Sequence, residues 1–484
     1  MNTPIVIRQS FRTLLSSVLL LSLMAHGLPA AGYPDYNSNP LPADRSGMES
    51  NAREIAARIQ SGWNIGNTLE AIGGETAWGN PKVSPELISL VKQSGFDAVR
   101  IPVSWNQYAD PETAEINASW LNRIKEVVQY CIDEDIYVIL NIHWDGGWLE
   151  NNVSVEKQES VNARQKALWE QIATHLRDFD GRLLFASANE PHAENAGEMA
   201  VLLSYHQTFV DAVRSTGGRN AYRVLAVQGP STDIEKTDNL MDSLPVDTVP
   251  DRMMVEVHFY TPYNFTLMTE DQSWGKQAYY WGQDFHSASD PDHNATWGEE
   301  DELDRLFGLM KSKFVDKGIP VLVGEYSAMR RSDLTGDSLQ LHLASRAHYH
   351  DYIVERCNAL GLLPFFWDNG GLNNHSSGIF DRHKNTVFDT PTLNAVTRVE
   401  TPQYWKKIVE ASRIRPSIEI HPEGEVDLTV PGSPGQSFRI ERSESLAPGS
   451  WTVLADQVSG SSDPFHLVDP AGPGSRFYRV VFLP

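Results

Sequence analysis

LLFASANEPHAENAGEMAVLLSYHQTFVDAVRS, residues 183–215, is the stretch on which the fold turns. It opens with an uncharged apolar run, breaks at Asn189-Glu190-Pro191, and resumes at 197–215 with apolar residues at helical spacing. That is a buried strand, a polar tip and a helix. Packing does not account for the charge at the tip. The same grammar recurs at PVLVGEYS, residues 320–327, where Glu325 ends an apolar run 135 residues after Glu190.

Outward from these two runs the chain keeps alternating. Strands are expected over 63–67, 98–103, 137–144, 183–190, 223–228, 253–260, 320–326 and 364–367. Helices are expected over 84–94, 118–133, 156–178, 197–215, 300–317 and 339–360. The first of these opens with Ser84 as N-cap and Pro85 at the first helical position. Eight strands alternating with helices predict an α/β fold, a (β/α)₈ TIM barrel. A doubly wound sheet would want a glycine-rich phosphate turn after strand one. The turn there, GNTLEAIGG at 66–74, lacks that spacing. Residues 263–299 form a long loop with Phe265, Trp274, Tyr279, Tyr280, Trp281 and Trp297, and long loops in compact domains usually serve function.

The ends of the chain have a different texture. Residues 1–31 read as a signal peptide: Arg8 and Arg12 precede an apolar core at 14–25, and small residues follow at 30–32. Leu28 is an imperfect fit three residues before a cut after Ala30. The expected product is exported, secreted or periplasmic, with no membrane insertion. Residues 32–47, rich in Pro, Asn and Ser, read as a linker, and 48–412 as the barrel. From 413 to 484 helical period gives way to short alternating runs at 418–420, 426–430, 438–442, 451–454 and 477–482. These predict a small C-terminal β-sandwich. Trp451, Phe477 and Tyr478 belong to its core or to a binding face.

The net charge of −23 argues against nucleic acid and against an anionic membrane surface. The 13 Trp and 16 Tyr suit a cleft that stacks on sugar rings. Cys131 and Cys357 fall on helices two and seven of the ring, which are not neighbours, so two free thiols are expected. A monomer is expected.

In such barrels the catalytic groups stand at the C-terminal ends of strands. The tips here read Asn64/Asn67, Arg100, His143, Asn189-Glu190, Gln228, His258-Tyr260, Glu325 and Trp367. Two carboxyls facing each other are what glycosidic cleavage needs. Glu325 is expected to be the ionised nucleophile, its pKa lowered by Arg100 and the Tyr260 hydroxyl. Glu190 is expected to be the acid/base, with His258 helping to place its proton. Asn189 would donate to the sugar 2-hydroxyl, His143 would bind the sugar, and Trp367 would be the stacking floor.

Asn189-Glu190-Pro191, the run Arg100-Ile101-Pro102-Val103, His258-Phe259-Tyr260, Gly324-Glu325-Tyr326 and Trp367 together resemble glycoside hydrolase family 5. The strand-one run GWNIGNTLE at 62–70 resembles its endoglucanase branch. The resemblance spans roughly 50–410. It implies a retaining mechanism, with Glu190 on strand four as acid/base and Glu325 on strand seven as nucleophile. Its remaining site residues map onto Arg100, His143, Asn189, His258, Tyr260 and Trp367. It implies a secreted endo-β-1,4-glucanase acting on cellulose or mixed-linkage β-glucan, with xyloglucan or mannan as alternatives. The family often carries two His at the end of strand three. Here the pair is His143-Trp144, which leaves substrate preference open.

Two rivals use other features. A metal hydrolase would draw on Asp284, His286, Asp290, Asp292 and His293 in the aromatic loop, but strand one lacks the His-x-His such barrels use. No metal and no cofactor is expected for catalysis; a calcium ion in that loop is an alternative to a solvated one. A catalytically silent sugar-binding protein is the other rival, and it would not need both carboxylates.

Overall fold

Eight short strands that bury nearly every side chain form the centre of the molecule. They are β1 (Gly62–Ile65), β2 (Ala98–Ile101), β3 (Tyr137–Asn141), β4 (Leu183–Ala186), β5 (Leu225–Gln228), β6 (Met253–Phe259), β7 (Val321–Tyr326) and β8 (Leu362–Asp368). All pair in parallel, and β8 pairs with β1 to close the barrel. This computed structural model describes residues 32–484 apart from 414–415, 423, 432–436, 446, 448, 462, 471, 473–474 and 484. The expected signal peptide at 1–31 lies outside the described residues.

A helix follows each strand: α1 (Pro85–Gln93), α2 (Ala118–Asp133), α3 (Gln158–Leu176), α4 (Ala196–Ser215), α5 (Ile234–Leu240), α6 (Glu300–Lys313), α7 (Gly336–Leu360) and α8 (Thr390–Thr397). A further helix, α9 (Tyr404–Arg413), comes after α8. Sequence periodicity missed α5, because seven residues, IEKTDNL, are too few to show a helical period. Its start was nonetheless encoded, since the Asp233 side chain accepts the Lys236 N–H as a cap. Among the described residues no helix is long and apolar enough to cross a membrane. Cys131 on α2 and Cys357 on α7 are free and buried.

Several strands end earlier than their apolar runs suggest, β4 at Ala186 rather than at Glu190. The tip residues leave the ladder because side chains below them take over their hydrogen bonds. Gln228 Oε1 accepts the Ala188 N–H at 2.8 Å, and Asn141 Oδ1 accepts the Val103 N–H at 3.3 Å. The site therefore rests on a polar layer inside the barrel, with Asn64, Arg100, Asn141, Gln228 and Glu256 all fully buried. Each is paired, as burial requires.

One irregularity shapes the rim. Val323 pairs with Val257, but Glu325 pairs with His258, so β7 carries one extra residue against β6. Against β8 it does so again, since Pro364 pairs with Val323 and Phe366 with Tyr326. The bulge falls at Gly324-Glu325. Bulges re-aim side chains beside active sites.

Residues 33–47, whose composition reads as a linker, are not free of the barrel. Leu41–Ala43 pairs with Gly217–Gly218, and the Tyr36 hydroxyl donates to the Thr113 carbonyl at 2.7 Å. Composition marked an irregular segment; the backbone and side-chain hydrogen bonds tie it down. Beyond α9 come two three-stranded antiparallel sheets. Their strands are β9 (Ser417–Ile420), β10 (Val426–Val430), β11 (Ser437–Ser443), β12 (Thr452–Ser459), β13 (Phe465–Asp469) and β14 (Phe477–Leu483). They share one small apolar cluster around Leu428, Val430, Phe438 and Ile440. Trp451 lies under the Arg479 guanidinium, outside that cluster, whereas the Tyr478 ring packs against it while its hydroxyl donates to Asp469 at 2.6 Å.

Candidate active site

Arg100, at the end of β2, organises the site from below. Its Nη1 donates to Glu325 Oε1 at 2.8 Å and to Asn64 Oδ1 at 3.0 Å. Its Nη2 donates to Asn189 Oδ1 at 2.9 Å, and its Nε lies 2.8 Å from Glu256 Oε1. A guanidinium presents only donors in a fixed plane, so four acceptors around it are held in fixed relative positions.

Glu325 receives a second donor from the Tyr260 hydroxyl, at 3.0 Å on Oε2. Its side chain is 8% exposed, whereas that of Glu190 is 41% exposed. Glu190 Oε1 lies 2.7 Å from His258 Nδ1. On its other edge His258 Nε2 lies 3.3 Å from Glu256 Oε1, and Nδ1 is 3.8 Å from Glu325 Oε2. The facing oxygens of Glu190 and Glu325 are within 4.8 Å of each other. His143 stacks on Trp367 with ring centroids 5.7 Å apart and planes 8° from parallel. Of the eight expected site residues, Arg100, Asn189, Glu190, His258, Tyr260 and Glu325 form one connected cluster, and Asn141 Nδ2, 3.2 Å from His143 Nδ1 and donating to the Ala188 carbonyl at 3.3 Å, ties the His143–Trp367 pair to the end of β4.

The proton does not rest where the sequence reading placed it. Burial pushes the Glu190 carboxyl up, but the hydrogen bond and charge of His258, with Arg100, outweigh it and hold it below the usual range. Burial likewise pushes Glu325 up, and here His258, Arg100 and Tyr260 do not fully offset it while Glu190 adds repulsion. Burial alone would lower His258. The surrounding carboxylates Glu325, Glu190 and Glu256 reverse that and lift it to about 10. The free site therefore keeps its mobile proton on His258, one hydrogen bond away from Glu190. Three carboxylates brought together by the barrel act on one imidazole, and their sum outweighs its burial.

Two carboxylates were missed. Glu256 is fully buried between Arg100, His258 and Gln228, whose Nε2 donates to it at 2.6 Å. Its signal was present: a lone charge in MMVEVHF, two residues before His258 and so on the same strand face. Glu150 lies behind Glu190 and had no strand-end signature.

Among the described residues, the one trio of His and carboxylate donors close enough to share an ion is Glu190, His258 and Glu325. With both ring nitrogens facing carboxylates, His258 is a double donor without a free lone pair for a metal. In the aromatic loop the acidic groups have other partners: His286 with Glu299, His293 with Asp290, and Lys276 with Asp292.

Residues 63–373 match the model of the cellulase family, glycosyl hydrolase family 5. A xyloglucan-specific endo-β-1,4-glucanase of Bacteroides ovatus is 36% identical over 383 residues, covering 75% of this chain and 73% of its own length. Endoglucanase A of Paenibacillus barcinonensis is 35% identical over 395 residues, covering 76% and 94%. Among solved structures, a xyloglucan-specific β-1,4-glucanase from a ruminal metagenomic library superposes with a TM-score of 0.67 at 39% identity, covering 73% of this chain and 98% of that one. The closed barrel, the paired carboxylates and these likenesses agree: the chain belongs to glycosyl hydrolase family 5 and is a cellulase-type glycoside hydrolase.

Proposed function

We propose that this protein is an exported endo-β-1,4-glucanase that cleaves internal backbone bonds with retention of configuration. The observation that carries this is the spacing of Glu190 and Glu325, within 4.8 Å. A retaining pair stands about 5 Å apart, whereas an inverting pair needs about 6.5–9.5 Å to admit water.

Glu325 is the nucleophile. It is held by Arg100 and Tyr260 and is the less exposed of the two. The Tyr260 hydroxyl stays protonated, because burial and the neighbouring carboxylates push its pKa well above the usual value. Glu190, open to the cleft, is the acid/base. The Glu325 carboxylate attacks the anomeric carbon as the bond to the leaving oxygen breaks, and Glu190 passes its proton to that oxygen. His258 supplies this proton along its 2.7 Å contact. Once Glu325 is an ester its charge is gone. Glu190, now the anion, takes a proton from water as that water attacks the ester, and the Glu325 carboxylate leaves.

Xyloglucan stands ahead of unsubstituted cellulose and mixed-linkage glucan as the substrate. Support comes from the Bacteroides ovatus and ruminal relatives, both named as xyloglucan-specific. Trp144, 43% exposed beside His143, offers an additional stacking face. Export fits a polymeric substrate and rests on the reading of residues 1–31.

Digestion of xyloglucan, carboxymethylcellulose, mixed-linkage glucan and mannan, with NMR of the first product, tests the proposal. A β-anomer first product and fastest turnover on a β-1,4-glucan backbone are expected. An α-anomer would sink double displacement, and mannan as the best substrate would sink the glucanase reading.

A further inference from the structure

Glu150 lies in a short turn of 3-10 helix, Glu150–Asn152, in the loop after β3, and is buried. Its carboxylate Oε1 accepts the backbone N–H of Glu190 at 2.8 Å. Its own carbonyl accepts the His192 N–H at 3.1 Å. One residue thus holds both ends of the turn Glu190-Pro191-His192. The Asn189 side chain lies beside the same carboxylate and works against the rise of its pKa.

Asn189 is therefore held between two groups of opposite character. Arg100 Nη2 faces its Oδ1 at 2.9 Å. A guanidinium has only donors, and an ionised carboxylate has only acceptors. Arg100 holds the amide oxygen and turns the NH₂ towards Glu150, and an ionised Glu150 carboxylate locks that orientation. That NH₂ has two hydrogens, one directed to the Glu150 side. The second is left for a sugar hydroxyl. A packing role alone does not call for a carboxylate here. Burial and the like charges of Glu190 and Glu325 oppose its ionisation and lift its pKa to about 7.

We propose that Glu150 is a positioning residue that fixes the Asn189 amide in the orientation that donates to the sugar 2-hydroxyl, while fixing the backbone of Glu190. The inference rests on the proposed retaining reaction, in which the contact to the 2-hydroxyl strengthens in the transition state. Replacing the carboxylate by an amide keeps the shape and introduces a donor where Asn189 and Glu190 present donors.

The test compares Glu150→Gln with wild type on an aryl β-cellobioside and on its 2-deoxy analogue. The expected result is a fall in kcat of about 10–100-fold on the hydroxylated substrate, with KM changed less than about threefold. On the 2-deoxy substrate the loss should be at least about tenfold smaller, because the lost contact has no partner there. Equal losses on the two substrates, or no loss on either, would overturn the proposal. If Glu150→Gln does not fold, Glu150→Asp, which keeps the charge and shortens the reach, is read by the same ratio. That ratio compares two substrates within one variant, so it stands apart from the double-displacement reading, which the anomer of the first product tests.

Discussion

His258 is the residue whose state sets how the site holds its proton. Its pKa is moved from 6.5 to about 10 by carboxylates on two sides. A raised folded-state pKa means that the folded state binds this proton more tightly than the unfolded chain does. The stabilisation is complete below pH 6.5 and disappears as pH rises through about 10. Melting temperature followed from pH 6 to pH 11 should therefore fall across that window in wild type and more weakly in His258→Asn. The same variant should move the alkaline limb of kcat/KM downward, because Glu190 then holds its proton without the imidazole. An unmoved limb would show that His258 does not share the proton of Glu190. Glu256 sits beneath both charges, and removing its charge leaves Arg100 Nε and His258 Nε2 without their buried carboxylate. Glu256→Gln should cost about 3 kcal/mol of stability, measured by denaturant unfolding, and should lower kcat more than it raises KM.

At the scale of elements, the bulge in β7 sits at Glu325 and the aromatic loop presents exposed rings. A Cβ at Gly324 would stand 2.0 Å from Glu256 Oε1. Gly324→Ala must therefore push Glu256 off Arg100 or straighten the strand, and either change re-aims Glu325. A loss of about 3 kcal/mol in unfolding free energy, with near-complete loss of turnover, is the expected outcome. Retained activity would show that the bulge tolerates a methyl group. The loop after β6 leaves Trp274 at 65% and Trp297 at 51% exposure, lining a groove of about 500 Å³ with Pro262 and Asn264. Exposed rings of this size on one loop are costly unless something covers them. Replacing both by Ala should raise KM on polysaccharide several-fold and leave kcat on an aryl cellobioside near wild type. An unchanged KM would remove the groove from the substrate path.

At the scale of the molecule, the barrel and the C-terminal sandwich have separate apolar clusters with no residue in common. Two unfolding transitions are expected by calorimetry, with only the larger one shifted by an active-site ligand. The two cysteines are buried and unpaired, so a reductant should leave both transitions in place. The alternation of the chain carried most of this architecture. Apolar runs of strand length and periodic segments of helix length leave few ways to pack, and a charge at the end of an uncharged run stands out against them. Helix α5, strand β13 and the docking of residues 33–47 were harder to read, because their elements are short and their partners are far away in sequence. Glu150 left no trace for the same reason. Its meaning lies in a hydrogen bond to a residue 40 positions later.

The sequence by itself determined the barrel, the pair Glu190 and Glu325, and the set of polar tips around them, because periodicity and burial act on every residue locally. Only the tertiary structure decided where the proton sits, which carboxylates support the pair, and how Glu325 is turned inward. Those depend on charges and hydrogen bonds between strands that are neighbours in space alone. A buried charge is governed by the sum of everything around it, and that sum does not exist until the barrel has closed.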